Sequence, residues 1–165
     1  MATAYLGLGS NLGNRLAFLR GGRDSLTNRP DITLLRTSGV YETDAVGNST
    51  DDPPYLNAVL EIGTALAPHD LLATCLAVEN EFGRTRPAAW APRTLDIDLL
   101  LYDDVTADET DLKIPHPRLH ERAFALVPLS ELAPGLIHPR LQKSIRALAD
   151  ALSSGDRVVS LRTTW

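Results

Sequence analysis

One cysteine, one methionine and two lysines are all that 165 residues contain of these types, and aromatic side chains make up 5%. With Cys75 alone, no intrachain disulfide can form, so packing must hold the fold and a reducing cytoplasm is the expected setting. No apolar run approaches the roughly 18 residues that a membrane-spanning helix needs, so no membrane association is expected. The opening MATAYLGLGSNLGNR lacks a basic stretch followed by an apolar one and reads as the start of a folded domain. Positive charge is also scarce. Sixteen basic against 21 acidic side chains leave a net charge of −5, which argues against a nucleic-acid partner, because a phosphate backbone rewards a basic face.

What is present fits an ordinary folded domain: 44% hydrophobic and 22% charged residues, without low-complexity runs. The length suits one domain, residues 1–165, with a substantial core. Fourteen of the basic side chains are arginine, whose planar fork suits bidentate phosphate contacts. Composition does not say which of them act on a ligand; their positions must.

ATAYLGLGS alternates as a first strand, and the following segment carries Leu16, Leu19, Arg23 and Leu26 at helical spacing, although Gly21 and Gly22 weaken the helix. Residues 31–43 and 55–66 are β-rich. Between them, DAVGNSTDDPP has the punctuation of a loop. APHDLLATCLAVENEFG predicts a helix with Pro68 near its start and Gly83 as its stop. A second loop, RTRPAAWAPR, leads into a strand at 95–102. A turn and helix within 112–134, a helix near 141–152 and a short strand in RVVSL complete the chain. The leading order β-α-β-β-α-β is that of an α+β, ferredoxin-like split βαβ fold, an antiparallel sheet with helices packed on one face. The two ten-residue loops fall in the length range where loops are often functional.

The strand TLDIDLLLY poses a chemical problem. Alternation sends Leu95, Ile97, Leu99 and Leu101 one way and Asp96 and Asp98 the other. Two carboxylates on one strand face repel, and burial without a counter-charge would cost several kcal/mol per ion. Either a hard divalent cation such as Mg2+ sits between them, or the face is solvated with Arg93 as counter-charge. The surroundings favour the cation. Arg84, Arg86 and Arg93 crowd the loop just ahead, more positive charge than two aspartates need, and the combination makes a polyphosphate clamp. Glu79, one helical turn before that loop, is either a nucleotide contact or a plain exposed helix residue. In IPHPRLHERAF, His116 and His120 have zinc-like spacing, but Pro115 and Pro117 keep His116 off a helix, so hydrogen bonds from His116 and Arg122 to phosphate or ribose are the better reading. GLGSNLG mimics a dinucleotide fingerprint but is one residue too long. Gly7 and Gly9 read as close packing or backbone freedom, with Ser10, Asn11 and Asn14 as turn and capping side chains.

Taken in order, AYLGLGSNLGNR, VYET…VG…YLNAV, EFGRTRPAAWAPRTLDIDLLLYDD and IPHPRLHERAFALVPLSELAP resemble the 6-hydroxymethyl-7,8-dihydropterin pyrophosphokinases of folate synthesis, over residues 4 to 139. The resemblance implies transfer of diphosphate from ATP to the pterin hydroxymethyl group with release of AMP, and two Mg2+ ions on Asp96 and Asp98. It implies catalytic roles for Arg84, Arg93, Asp96 and Asp98, and ATP contacts from Glu79, Arg84, Arg86, Trp90, Arg93, Leu99, His116 and Arg122. For the pterin it implies stacking between Tyr55 and Phe124, edge recognition by Asn57 and Thr43, and contacts from Asp44, Val46, Trp90 and Asp96. Both loops would be mobile catalytic lids that exclude water. A monomer, open to association with other folate-pathway enzymes, is the implied state. Ala89, Ala91, Asp44, Leu76, Lys113 and Pro117 depart from common members. Without the resemblance, a non-catalytic nucleotide sensor on the same frame and a D-x-D glycosyltransferase would compete, although the chain is short for the latter.

Overall fold

The computed structural model describes residues 1–44, 52–83, 94–153 and 155–165. The expected lid segments therefore lie mostly outside the described residues, and with them Val46, Arg84, Arg86, Trp90 and Arg93.

Strand β1 (Ala2–Ser10) occupies the middle of an antiparallel sheet, with β4 (Tyr55–Thr64) on one side and β5 (Asp96–Tyr102) on the other. Helix α1 (Arg15–Thr27) carries the chain from β1 to β2 (Ile32–Thr37), and β4 inserts between those two strands, which is the split βαβ arrangement read from the sequence. Asn14 caps α1 through its Oδ1, which accepts the Ala17 N–H at 3.1 Å. Gly21 and Gly22 do not break the helix, because close packing requires them: a Cβ on Gly22 would lie 2.8 Å from Leu95, and one on Gly21 2.6 Å from the Phe82 ring.

The β-rich run 31–43 is two strands, not one. β2 pairs with the Leu60–Thr64 end of β4, and β3 (Tyr41–Thr43) with Tyr55–Asn57. Ser38 makes the step between them: its Oγ accepts the Val59 N–H at 2.8 Å, and its own N–H donates to the Val59 carbonyl at 2.9 Å. Helix α2 (Pro68–Glu81) leads through the second loop to β5. A small hairpin, β6 (Ala107–Asp108) with β7 (Lys113–Ile114), was not foreseen, since two-residue strands leave no periodic signal. A 3-10 turn at Leu119–Glu121 precedes α3 (Ala123–Leu132), and α4 (Ile145–Asp150) is shorter than the expected 141–152 because Ser144 caps it, accepting the Ala147 N–H at 3.0 Å. Strand β8 (Val158–Ser160) adds to the outer edge of β3.

The two helices of the split βαβ unit, α1 and α2, share one face of the sheet, as the sequence suggested, and α3 and α4 cover the other. α1 and α2 bury Leu19, Leu26, Leu71, Cys75 and Val78 against Leu6, Leu8, Ile97 and Leu99. α3 and α4 bury Leu126, Leu129, Ile145 and Leu148 against Tyr5, Val59, Leu100 and Leu101 on the opposite face. The expected alternation fails at Leu101. Leu6 pairs with Leu99 but Tyr5 with Leu101, so a bulge at Leu100 turns Leu100 and Leu101 to the same cluster. α3 and α4 cover part of this second face, and the cavity described next occupies another part of it.

Candidate active site

Three strands in register build the floor of the site. Asp96 lies opposite Gly9 and Gly9 opposite Asn57; one step along, Asp98 lies opposite Gly7 and Gly7 opposite Val59. Directly paired residues share a face, so the aspartates and Asn57 face the same way across a central strand that presents only glycine. A Cβ on Gly9 would meet Asn57 Nδ2 at 2.8 Å and the Tyr55 ring at 3.4 Å, and one on Gly7 would touch Leu100 at 3.4 Å. Of the two readings the sequence allowed for these glycines, close packing is the one the sheet bears out, and they also keep the floor open.

Above this floor lies a cavity of about 650 Å³. Its lining brings together nine residues singled out in the sequence: Thr43, Asp44, Tyr55, Asn57, Asp96, Asp98, His116, Arg122 and Phe124. They come from β3, β4, β5, the segment after β7 and the start of α3, so only the tertiary fold gathers them.

The cavity has two chemically distinct ends. At one, the Thr43 hydroxyl donates to Asn57 Oδ1 at 2.6 Å, orienting a buried amide beside the Tyr55 ring. At the other, Arg122 Nη1 stands 3.9 Å from Asp98 Oδ2 and 3.5 Å from His116 Nε2, and its guanidinium lies 5.5 Å from the Phe124 ring centre. The His116 N–H donates to the Leu100 carbonyl at 2.9 Å, fastening this segment to β5. His116 Nδ1 accepts the Arg118 N–H at 3.2 Å, and Arg122 Nη1, which can only donate, approaches Nε2 at 3.5 Å, so a neutral ring satisfies one of these two contacts at a time. Burial pushes the His116 pKa below its ordinary value; Asp98 opposes this, while Arg122 and Arg118 add to it. Burial also lowers the Arg122 pKa, with Asp98 pulling it back up, and a guanidinium so placed stays cationic at neutral pH.

The donor set of Asp96 and Asp98 fits a hard divalent cation. Both are partly exposed on the cavity side, they supply oxygen only, and the cation nearest Asp98 among the described residues, Arg122, stands at the limit of ion-pair distance.

Two residues expected at ATP have their side chains outside the cavity lining. The Leu99 side chain is buried in the cluster on the opposite face, and Leu8 and Leu100 are the leucines of the cavity wall. Glu79 is neither exposed nor part of that wall: it is 2% exposed, and its Oε1 accepts the Ile97 N–H at 2.7 Å, joining α2 to β5. The lining also includes Arg118, a member of the basic run IPHPRLHERAF to which the sequence assigned no role, and Glu121 and residues 155–158, which no sequence signal marks. RVVSL was recognisable as a strand, but nothing in it indicates that it docks beside β3.

A sequence profile described as 7,8-dihydro-6-hydroxymethylpterin-pyrophosphokinase (HPPK) matches residues 5–134. The chain belongs to this family. It is 44% identical over 137 residues to the 2-amino-4-hydroxy-6-hydroxymethyldihydropteridine pyrophosphokinase of Methylorubrum extorquens, covering 83% of this chain and 86% of that one. The enzyme of the same name from Bacillus subtilis is 43% identical over 129 residues, 78% and 77% of the two chains. Among solved structures, an HPPK-DHPS in complex with substrates superposes with a TM-score of 0.71 at 13% identity, covering 91% of this chain and 43% of that one. The wild-type Plasmodium falciparum HPPK-DHPS with pteroate gives 0.71 at 15%, covering 90% and 44%. These establish the α+β fold, and the chain spans less than half of those longer proteins. As an HPPK it is an ATP-dependent diphosphotransferase acting on 6-hydroxymethyl-7,8-dihydropterin in folate synthesis. Among the described residues, no helix is long and apolar enough to cross a membrane.

Proposed function

We propose that the cavity holds both substrates side by side, with the pterin at the Thr43–Asn57 end and the ATP phosphates between Asp96, Asp98, His116 and Arg122. The supporting observation is the row Asp96–Gly9–Asn57, which sets the acidic pair and the amide side by side over a floor without side chains. Tyr55 lines the Thr43–Asn57 end and Phe124 the wall beside Arg122, so the flat heterocycle would lie between two aromatic faces, while Asn57 and Thr43 read its amide edge and Asp44 closes that end. Val46 and Trp90 would complete the pterin contacts, and Arg84, Arg86 and Arg93 the triphosphate contacts.

In the reaction, the pterin hydroxymethyl oxygen forms a bond to the β-phosphorus. The bond from that phosphorus to the oxygen it shares with the α-phosphate breaks, AMP departs with the electron pair, and the hydroxyl proton is lost. Two Mg2+ ions held by Asp96 and Asp98 would supply neutralisation of triphosphate charge and a lowered hydroxyl pKa. Arg122, in reach of both Asp98 and His116, places a fixed positive charge at the phosphate end. Neutral His116 adds no further positive charge beside Arg122 and Arg118, and its ring is placed to hydrogen-bond phosphate or ribose. In this scheme positioning and electrostatics account for the rate, and no side chain need act as a general base.

Incubation with ATP, Mg2+ and the hydroxymethyl dihydropterin should release AMP; ADP as product, or no turnover, would overturn the scheme. Asp98→Ala should lower turnover by about a thousandfold. Its fold should survive, because removing one of two like charges relieves repulsion.

A further inference from the structure

β8 lies beyond residues 5–134, the span matched to the family, yet Asp156, Arg157 and Val158 form one wall of the cavity. Val158 pairs with Thr43, and Thr43 pairs on its other side with Tyr55, so β8 is the outermost strand of the row that carries the proposed pterin contacts.

Arg157 forks between two carboxylates. Its Nη1 stands 3.4 Å from Asp44 Oδ1 and its Nη2 3.4 Å from Glu42 Oε1. The other oxygen of Glu42 meets Arg15 Nη1 at 3.3 Å, and that same nitrogen donates to the Pro54 carbonyl at 2.8 Å. Asp44 directly follows Thr43, and Pro54 directly precedes Tyr55. The charge chain Asp44–Arg157–Glu42–Arg15–Pro54 therefore brackets the Thr43–Tyr55 pair at the point where both strands run out.

The segment that delivers Arg157 is tied down beyond it. The Leu161 N–H donates to the Val40 carbonyl at 3.0 Å, and Trp165 Nε1–H to the Ser38 carbonyl at 2.8 Å. The Arg23 guanidinium lies 5.4 Å from the Trp165 ring centre. Arg157 and Asp44 are 48% and 66% exposed as side chains, so their ion pair adds little to global stability, and its effect is local.

We propose that Arg157 is a positioning residue for the acceptor substrate: the C-terminal strand belongs to the active site, and through Asp44 and Glu42 it holds the ends of β3 and β4 where Thr43, Tyr55 and Asn57 engage the pterin. The proposal rests on placing the pterin at this end of the cavity.

The test is steady-state kinetics on the full chain, varying ATP and pterin in turn, for Arg157→Ala, Arg157→Lys, Asp44→Ala and the Arg157→Ala/Asp44→Ala double variant. Arg157→Ala should raise KM for the pterin about five- to tenfold and leave KM for ATP within about twofold. Lysine should recover part of the loss, and the double variant should be no worse than the poorer single one. An unchanged pterin KM, an equal rise in both KM values, or additive single effects would overturn the proposal. Should the alanine chain melt early, the lysine variant decides: its pterin KM must rise, and an unchanged value sinks the idea. Two controls separate this from the underlying reading. Wild-type chain that releases no AMP would refute the activity, and Asn57→Ala with an unaltered pterin KM would refute the location of the pterin.

Discussion

A methyl group added to Gly9 would sit 2.8 Å from Asn57 Nδ2, a contact that real side chains do not sustain, so the amide must move. The amide is the far end of a flexible side chain, so the backbone can stay in place while the 2.6 Å bond from Thr43 is disturbed. Gly9→Ala should therefore fold, melt within a few degrees of the parent, and raise the pterin KM by about tenfold; thermal melts and initial rates together check this. A large fall in melting temperature with normal kinetics would show that the glycine serves packing alone. Cys75, by contrast, has no part in the site. It is fully buried on the opposite face, and burial pushes its thiol up to about 12, which leaves it inert.

Between elements, the joint of α2 and β5 governs where the aspartates stand. Glu79 Oε1 is the acceptor for the Ile97 N–H, and Ile97 lies between Asp96 and Asp98. A carboxylate buried in a helix–strand seam holds the strand end through its bond to the Ile97 N–H, and its loss strands that buried amide. Glu79→Ala should cost about 2 kcal/mol in urea unfolding, and glutamine, which keeps an acceptor, less than half of that. Because Asp96 and Asp98 move with the strand, the alanine variant should also weaken Mg2+-dependent turnover; unaltered stability would refute the anchoring role. A second joint, the bulge at Leu100, lets Leu100 and Leu101 both reach the cluster under α3. It thereby couples the strand bearing the acids to the helix bearing Phe124.

At the scale of the molecule, a buried and a partly buried histidine tie stability to pH. Burial lowers the pKa of His116 and also that of His138, where His120 and Arg140 add to the effect. His138 is 3% exposed, and its Nδ1 accepts the N–H groups of Leu141 at 3.1 Å and Arg140 at 3.3 Å, bonds that a proton on that nitrogen would abolish. In the unfolded chain both titrate near the usual 6.5. Below that value the unfolded state takes up protons that the folded state resists. Their stabilising contribution is therefore complete above pH 6.5 and is lost as pH falls through the depressed folded values. Urea midpoints should decline from pH 7.5 to pH 5.5, and His138→Asn, which offers a non-titrating acceptor, should flatten the decline. A midpoint independent of pH in that window would contradict it.

The sequence alone determined the leading order of strands and helices except for the break of residues 31–43 into two strands, the facing of Asp96 and Asp98, and the cap at Asn14. Each of these depends on periodicity or on neighbours a few residues apart, which a linear pattern records. For Gly7 and Gly9 the sequence left close packing and backbone freedom both open, and it did not show what they approach. Tertiary structure decided that α3 and α4 cover the second face, that Leu99 points away from the cavity while Leu100 lines it, that Glu79 anchors a strand, and that Arg157 returns from the C-terminus to bracket Thr43 and Tyr55. Those outcomes depend on which strand lies next to which and on one bulge in register. They are set by the free energy of the whole packed sheet, to which no short stretch of chain holds the key.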